Sequence, residues 1–337
     1  MKILLAGLYN AYGGSTFTLL QMKKALENNF EVVLRSPIKE ADIHQNCAFP
    51  TYTLNSLLKK IGVLKIFICL FISEYKYLKN SEFNFIIVND NLSLFLYGFI
   101  AKLLKKKLIF RVENHEGKGI LKKIKDYLSY KKIYIAKFMI PKKEKNYFII
   151  RNSLSIKKYP KIEHNTKNIF VVGSICKNKN QIFALNVFRK IIKFNPNYRL
   201  YFVGNILDDS YFKKLKNLIK EYNLEKYIFY EGFKSKEYIY SKADMILITS
   251  QFESFGLVFL EGLYNEIPII APNIDSFVEL SKIIGYNFLY EKENIKSCVE
   301  LFDEIKNKKI KYDEEIEKYF SLTKIKDDFY NFFKKID

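Results

Sequence analysis

The chain has 337 residues, of which 49% are hydrophobic and 27% charged, and its formal net charge at pH 7 is +20. A single hydrophobic core rarely grows beyond roughly 250–300 residues, so this length predicts two domains, each with a sizeable core. The composition is that of a globular protein and argues against a disordered chain or a fibre.

The cysteine and charge patterns narrow the class of protein further. The four cysteines are far apart and form no CxxC pair, which argues against a zinc site or a disulfide framework and favours a reducing, cytoplasmic compartment. The lysines are spread along the whole chain and do not cluster with stacking aromatics, so nucleic acid is not expected as a partner. The basic excess would suit peripheral contact with anionic lipid headgroups on the inner face of a membrane.

No transmembrane helix is expected. The longest apolar stretch, 61–72, contains Lys65 and falls short of the ~20 residues that span a bilayer. The apolar start of the chain is about as long as a strand and leads into Gly13 and Gly14 without a cleavage pattern. We therefore interpret it as the first strand and not as a signal peptide.

Short apolar runs alternate with helical stretches, which predicts parallel strands joined by crossover helices. The predicted strands of the first half are 3–8, 30–34, 85–88, 108–112 and 147–150. The pattern restarts after a lysine-rich passage, 155–168, which contains Pro160 and is interpreted as a linker with a ligand-binding cleft beside it. The predicted strands of the second half are 169–172, 200–203, 228–230, 245–249 and 267–271.

The last stretch of the chain has apolar residues at helical spacing and no strand after it. It predicts one or two helices that pack on a domain surface and return toward the first domain. The expected organisation is thus a first domain over 1–160, a second domain over 161–315 and a helical tail over 316–337.

A glycine-bearing turn follows the first strand of each half, at Gly13 and Gly14 in one and at Gly173 in the other. Glycine lets a backbone approach a ligand closely, and helix N-termini favour anions through their exposed N–H groups. Neither turn completes a GxGxxG fingerprint, so nicotinamide binding is weakly supported. Taken alone, each is more often a tight turn than a binding site.

The sharpest signal is the segment SQFESFGLVFLEG, 250–262, which follows a predicted strand. It places Glu253 at the carboxyl edge of the sheet, where open α/β folds bind ligands, and Glu261 one or two turns into the next helix. These carboxylates suit sugar and ribose hydroxyls, and the amides of Phe255, Gly256 and Leu257 suit a phosphate. The alternative is that Glu253 caps the helix and Glu261 is merely exposed.

This segment resembles the family-4 retaining glycosyltransferases, whose hallmark is two glutamates separated by seven residues in a strand, turn and helix. Further matches occur in the same chain order. Residues 170–173 followed by Lys179 resemble the family's phosphate-binding strand and lysine, and the turn 230–233 resembles its base-binding turn. The resemblance is specific over 168–280 and looser in the first half, where it rests on the Gly13-Gly14 turn and on His115.

The resemblance implies a GT-B fold, in which two Rossmann-like domains face each other across a cleft, with the acceptor mainly on the first and the donor on the second. It implies a retaining transfer of a hexose-type sugar from a nucleotide-diphosphate donor, without a cofactor, to a glycan or lipid-linked acceptor in surface polysaccharide or lipopolysaccharide assembly. Glu253, His115 and Lys179 would be catalytic. The implied donor-binding residues are Gly13, Gly14, Gly173, Lys179, Phe233, Glu253, Ser254, Phe255, Gly256, Leu257 and Glu261.

One position departs from the family pattern. An arginine usually follows the glycine of the phosphate-binding strand, whereas this chain has Ser174. Neutralisation of the leaving diphosphate would then rest more on Lys179, helped by Lys177, and a weaker donor grip or lost activity are the alternatives. The chain contains no Asp-x-Asp motif, so we expect a metal-independent reaction.

Three other functions agree less well with these sequence features. A nucleotide-sugar epimerase would convert the donor without an acceptor, and a phosphorylase would depend on inorganic phosphate. A catalytically inactive binding subunit would keep the donor site but show neither transfer nor donor hydrolysis.

Overall fold

The computed structural model describes residues 1–8, 14–44, 57–114, 116–117, 119–145, 147–154 and 157–336. The chain divides into two compact units: unit 1 comprises Met1–Ser153 with Leu322–Asp337, and unit 2 comprises Leu154–Ser321. The boundary expected at residue 160 therefore lies inside unit 2, and so do residues 316–321 of the expected tail.

Unit 1 is built on a parallel sheet. Its described strands are β1 Lys2–Ala6, β2 Glu31–Ser36, β3 Ile43–His44, β4 Phe85–Val88, β5 Lys107–Val112, β6 Lys131–Tyr134 and β7 Tyr147–Ile149. They lie in the order β3-β2-β1-β4-β5-β6-β7, and Ile3 is in register with Val32 on one side and with Phe85 on the other. The direction of strand addition reverses between β1 and β4, so their carboxyl ends form a topological switch point.

Four helices of unit 1 connect these strands: α1 Gly14–Leu26, α2 Leu57–Lys79, α3 Asn91–Leu103 and α4 Ile120–Leu128. Strand β4 reads Phe-Ile-Ile-Val and is buried throughout, as expected for a parallel strand covered on both faces. Helix α3 begins where Asp90 accepts a 2.8 Å hydrogen bond from the amide of Ser93, a standard N-cap that fixes the chain just after β4.

Unit 2 repeats the architecture. Its described strands are β8 Lys167–Val172, β9 Tyr198–Val203, β10 Ile228–Tyr230, β11 Met245–Leu247, β12 Ile269–Pro272 and β13 Leu289–Tyr290. They form a parallel sheet in the order β10-β9-β8-β11-β12-β13, so the switch point lies between the carboxyl ends of β8 and β11.

The helices of unit 2 are α5 Gln181–Phe194, α6 Asp209–Glu221, α7 Lys236–Lys242, α8 Leu257–Tyr264, α9 Asp275–Ile284, α10 Ile295–Ile305 and α11 Asp313–Phe320. Helices α5, α6 and α10 form a buried cluster with the strands, in which Phe188 of α5, Phe202 of β9 and Phe302 of α10 are at most 1% exposed. The described residues of both units include no helix with the length and apolar content needed to cross a membrane.

The last helix, α12 Leu322–Ile336, belongs to unit 1 and packs against α1. Its apolar residues fall three or four apart and are all buried in one cluster with β1, β4 and α1: Ile325, Phe329, Phe332, Phe333 and Ile336. The ring of Phe333 lies 5.1 Å from that of Phe30 and 5.3 Å from that of Phe85. The expected return of the C-terminal helix to the first domain is confirmed.

Candidate functional site

Glycines end the strands on one side of the unit 2 switch point. Gly173 follows β8 and Gly204 follows β9, with φ of 147° and 149°. A Cβ on Gly204 would lie 2.2 Å from the carbonyl oxygen of Gly173, and one on Gly173 would lie 3.2 Å from Cε of Lys179. The two backbones therefore approach each other as only glycine permits, and they leave a surface without side chains at the carboxyl edge.

Lys179 lies at the end of a single 3-10 turn, Lys177–Lys179, that follows this edge. Asn180 then adopts left-handed backbone angles, φ 52° and ψ 47°, and starts α5. Two hydrogen bonds connect this turn to the segment after β11. Thr249 Oγ1 donates to the carbonyl of Lys179 (2.7 Å), and the amide of Gln251 donates to the carbonyl of Asn178 (2.8 Å).

These ties bring Lys179 and Glu253 together although they are far apart in sequence. Lys179 Nζ donates to Glu253 Oε1, and Ser250 Oγ donates to the same oxygen at 2.8 Å. The other carboxylate oxygen, Oε2, has no hydrogen-bond partner among the described residues. The side chains of Lys179 and Glu253 are 25% and 19% exposed, so the pair is partly accessible to a ligand.

The turn after Glu253 leads directly into α8. Gly256 has φ 98° and packs so closely on α9 that a Cβ there would lie 2.7 Å from the ring of Phe277. Phe255 is 5% exposed and its ring lies 5.8 Å from that of Phe320. The amides of Phe259 and Leu260 donate to the carbonyl of Gly256, at 3.1 and 3.3 Å. The amides of Leu257 and Val258 come before these bonds, at the helix start where anions commonly bind.

Glu261 is buried, which contradicts the alternative that it is merely exposed. It is 7% exposed, and its carboxylate accepts from Lys236 and, at 2.6 Å, from the hydroxyl of Tyr240, both on α7. Burial and then the Glu261 charge raise the pKa of the Tyr240 phenol well above its usual range. Glu261 thus joins α8 to α7 and is not merely exposed, and its role toward a ribose stays a prediction.

Phe233 stands apart from this cluster. It follows Gly232 at the end of β10 and is 74% exposed. Beside it, Tyr238 donates to Glu231 at 3.1 Å, and burial together with that hydrogen bond raises the pKa of Tyr238 to about 12. The structure therefore places Phe233 on the same edge, two strands away from β8 with Gly173 and three strands away from β11, which Glu253 follows.

Ser174 follows the glycine of β8 and carries no charge to replace the arginine that the family usually has there. Its carbonyl accepts from Gln181 Nε2 at 3.0 Å, which ties it to the start of α5. Lys177 is exposed, whereas Lys179 is half-buried next to Gly173. Lys179 is thus the cation that packs against this glycine.

Two of the predicted site residues in unit 1, Gly13 and His115, lie outside the described residues. Gly14 is the first residue of α1 and follows the carboxyl end of β1 at the switch point of unit 1. Ser254 lies in the turn between Glu253 and Gly256.

Sequence reasoning missed a polar network at the carboxyl ends of β4 and β5. Arg111 Nη1 donates to Glu113 at 2.9 Å and its Nη2 to Asn152 Oδ1 at 2.7 Å, while Asn89 donates to Thr18 at 2.8 Å and to Glu113 at 3.3 Å. Burial raises the pKa of Glu113 despite Arg111. The available signal was a polar residue directly after a buried strand, as at Asn89 and Glu113.

The described residues contain no group of three or more His, Cys, Asp or Glu side chains arranged to hold a metal ion. The cationic and amide groups at the carboxyl edge of unit 2 are Lys179 and the first turn of α8. Lysine and helix-start amides are the partners that a phosphate prefers in the absence of a metal.

Comparisons with known proteins agree with this fold. The family described as Glycosyl transferases group 1 matches residues 153–321, half of the chain, so the chain belongs to that family. It is a glycosyltransferase with the two-domain α/β fold of the GT-B class.

Solved structures share this fold over the whole chain. They include HepE of Anabaena in complex with UDP and glucose (TM-score 0.77, 14% identity, 99% of both chains) and a glycosyltransferase of Rickettsia africae (0.78, 16%, 99% of this chain and 98% of that one). The lipopolysaccharide outer core galactosyltransferase WaaB is also similar (0.72, 17%, 99% of this chain and 100% of that one).

Curated relatives are similar over shorter stretches. The poly(glycerol-phosphate) alpha-glucosyltransferase of Bacillus subtilis is 28% identical over 128 residues, which are 37% of this chain and 19% of the relative. An uncharacterized 41.2 kDa protein in the cps region of Klebsiella pneumoniae is 26% identical over 168 residues, 46% of this chain and 44% of the relative. The matched segments thus span less than half of these relatives.

Proposed function

We propose that this glycosyltransferase moves a hexose from a nucleotide-diphosphate sugar to a glycan or lipid-linked acceptor, with retention of configuration and without a metal ion. The resemblance to family-4 enzymes supports the retaining stereochemistry. The proposed setting is surface polysaccharide or lipopolysaccharide assembly on the cytoplasmic face of a membrane.

The observation that carries the proposal is the contact between Lys179 and Glu253 beside Gly173. A diphosphate next to the bare backbone of Gly173 would offer Lys179 a more highly charged partner than one carboxylate. Lys179 would then leave Glu253, whose carboxylate would stay held by Ser250 and be free to accept sugar hydroxyls. Donor binding would in this way assemble the site.

The chemical step follows from the charges. Cleavage of the glycosyl phosphate bond leaves both bonding electrons on the diphosphate, where Lys179 and the amides at the start of α8 stabilise them. The acceptor hydroxyl attacks the anomeric carbon from the face that the phosphate leaves, and the phosphate takes its proton. Glu253 orients the sugar, and we propose that His115 lies on the sugar's other side.

The ligands and activities of similar proteins guide the choice of donor and acceptor. HepE has been solved with UDP-glucose, WaaB is a galactosyltransferase of the lipopolysaccharide outer core, and the Bacillus relative is an alpha-glucosyltransferase. UDP-glucose and UDP-galactose are therefore the first donors to test. Glycan acceptors are supported by the same activities.

The test uses Lys179→Ala and Glu253→Gln with UDP-sugar donors. We expect transfer and donor hydrolysis to fall about 10²–10³-fold in each variant, because one group that stabilises or orients the transition state is removed. Chelator should leave the wild-type rate unchanged. Rates are measured as UDP release and as labelled product.

The matched control is the exposed pair of Glu304 on α10 and Lys308 just after it, 2.7 Å apart, which has the same chemistry away from the edge. Lys308→Ala should keep the wild-type rate.

Full turnover by Lys179→Ala would refute the role assigned to Lys179, and donor conversion without an acceptor would indicate an epimerase instead. Dependence of the rate on inorganic phosphate would indicate a phosphorylase, and a wild-type protein that binds donor but releases no UDP would be a binding subunit.

A further inference from the structure

Three neighbouring helices of unit 1 expose apolar side chains to solvent. Ile68 and Ile72 on α2 are 49% and 50% exposed, and Phe99 and Leu103 on α3 are 45% and 64% exposed. Each pair is four residues apart and so lies on one face of its helix. Isolated apolar residues on a surface need no explanation, but pairs on adjacent helices do.

Helix α4 shows the same feature more strongly. Ile120 and Tyr127 are 73% and 64% exposed, whereas Lys125 is 6% exposed and donates from Nζ to the carbonyl of Glu116 at 2.9 Å. Leu121 is 57% exposed as well. Although Leu128 is 1% exposed, α4 presents most of its other apolar residues to solvent and buries a lysine, which a helix that only covers a core does not do.

These faces adjoin each other. Helix α2 packs on α3 and α3 packs on α4, and Gly98 of α3 is so close to α4 that a Cβ there would lie 2.9 Å from Leu128 Cβ. Lys102 of α3 extends over the ring of Tyr127 of α4, 4.7 Å from its centroid. We define the α2–α4 surface by its exposed apolar residues Ile68, Ile72, Phe99, Leu103, Ile120 and Tyr127.

Lysines border and interrupt this surface. Lys65 and Lys76 flank the pair on α2, and exposed Lys102, Lys105 and Lys123 lie on and between α3 and α4. The acidic residue of α4, Asp126, is already bound by Lys122 and Lys132. The net electrostatic character of the surface is therefore basic.

We propose that the α2–α4 surface docks this enzyme on an anionic lipid bilayer. Apolar and aromatic side chains enter the headgroup region, and the lysines remain at its level and pair with lipid phosphates. Lysine is depleted in protein–protein interfaces, so this combination of apolar residues and lysines favours a membrane over a protein partner. This proposal rests on the proposed function in one respect: docking would give the enzyme access to a lipid-linked acceptor.

The test is co-sedimentation of the full chain with vesicles of phosphatidylcholine alone or mixed with phosphatidylglycerol. We expect binding to the anionic vesicles, reduced at least about tenfold in Leu103→Ser/Ile120→Ser/Tyr127→Ser by loss of buried apolar area. Lys102→Glu/Lys105→Glu/Lys123→Glu should lose a similar amount by loss of attraction to the lipid charge.

The control is Ile162→Ser/Phe194→Ser/Leu207→Ser, which removes three apolar side chains of unit 2 that are 50%, 85% and 73% exposed. It should bind like the wild type. Equal loss in this control, equal binding to neutral vesicles by all proteins, or no vesicle binding by the wild type would overturn the proposal.

Two further measurements separate the outcomes. Sedimentation velocity tests whether the surface is instead an interface between copies of the chain. The proposal fails if the wild type self-associates and the apolar triple variant does not, while both proteins bind vesicles equally. UDP release from a water-soluble acceptor reports the transfer reaction alone. A docking variant that retains this activity but loses vesicles supports the proposal, and failure of transfer in every protein would count against the proposed function and not against docking.

Discussion

Both units carry a charge pair at the carboxyl edge of their sheet, yet the two pairs differ in accessibility. At the switch point of unit 2, Lys179 and Glu253 are 25% and 19% exposed. At the carboxyl end of β5 in unit 1, one strand beyond the switch point, Arg111 and Glu113 are only 2% and 10% exposed, and Arg111 also binds Asn152. Both pairs lie at the edge where α/β folds bind ligands.

The difference teaches which pair can act on a ligand. A partly exposed lysine can exchange a carboxylate for an incoming phosphate at little cost, whereas a buried guanidinium that already has several partners cannot leave them without a large penalty. We therefore assign chemistry to the pair in unit 2 and stability to the pair in unit 1. The three predictions that follow test this assignment.

The largest effect is expected from Arg111→Met. It leaves Glu113 buried without its cation, and breaking a buried pair costs about 3–5 kcal/mol. The free energy of unfolding, measured by chemical denaturation, should fall by that amount, and Arg111→Met/Glu113→Gln should recover part of it. Normal stability with abolished transfer in Arg111→Met would place this pair in the chemistry and remove the contrast between the units.

A smaller loss is expected from Gly204→Ala. The new Cβ would meet the carbonyl oxygen of Gly173 at 2.2 Å, so β8 and β9 must separate at the candidate site. Overpacking of this kind costs about 2–3 kcal/mol, and transfer should fall with it because Gly173 supports Lys179. Thermal unfolding and UDP release measure both effects.

Gly285→Ala is the matched control for this glycine. Gly285 also has positive φ, 76°, but a Cβ there would meet no atom within 4 Å. Gly285→Ala should lower the free energy of unfolding by only about 1 kcal/mol, because only the backbone angle is unfavourable, and it should leave sugar transfer unchanged. Equal losses in the two variants would show that the close approach of the strands has no energetic weight.

The smallest effect is expected at Asp42, which forms an accessible pair with Lys23 away from either switch point. Burial opposes its ionisation, but the amide of Leu34 and Lys23 outweigh this and lower the pKa of Asp42 below 3.8. A lowered pKa stabilises the fold above pH 3.8, and the gain is lost as the pH falls through the folded-state pKa.

Asp42→Asn should therefore cost less than about 1 kcal/mol at neutral pH, because solvent screens so exposed a pair. The difference from wild type in urea denaturation should vanish in acid below that pKa. The rate of sugar transfer by Asp42→Asn should equal that of the wild type. A loss of transfer would mean that accessibility does not distinguish charge pairs that take part in the reaction from pairs that only stabilise the fold.

The fold was largely predictable, because strands buried on both faces have continuous apolar sequences that stand out between helices. All ten predicted strands are present, with ends shifted by a few residues. Three more were missed. Two of them, Ile43–His44 and Leu289–Tyr290, are too short to show a sequence pattern. The third, Lys131–Tyr134, contains Lys132, whose charge interrupts the apolar pattern and is paired with Glu116 at 2.6 Å in the fold.

The site was predictable only in part. Glu253 and Lys179 could be expected to meet because both follow strands that are neighbours at a switch point. The burial of Glu261 could not be foreseen, since it depends on where α7 places Lys236. Gly204 was missed because a single glycine after a strand is not a motif, and its constraint arises from a neighbouring strand.

The position of α12 has a consequence for how the protein is made. The ribosome synthesises residues 1–153 first, but the apolar cluster beneath α1 is completed by side chains such as Phe329 and Phe333, which are synthesised only after unit 2. Throughout translation of unit 2, the nascent first unit would therefore present an unfilled hydrophobic groove to the cytosol. Chaperones that bind such grooves would have their longest opportunity during that interval.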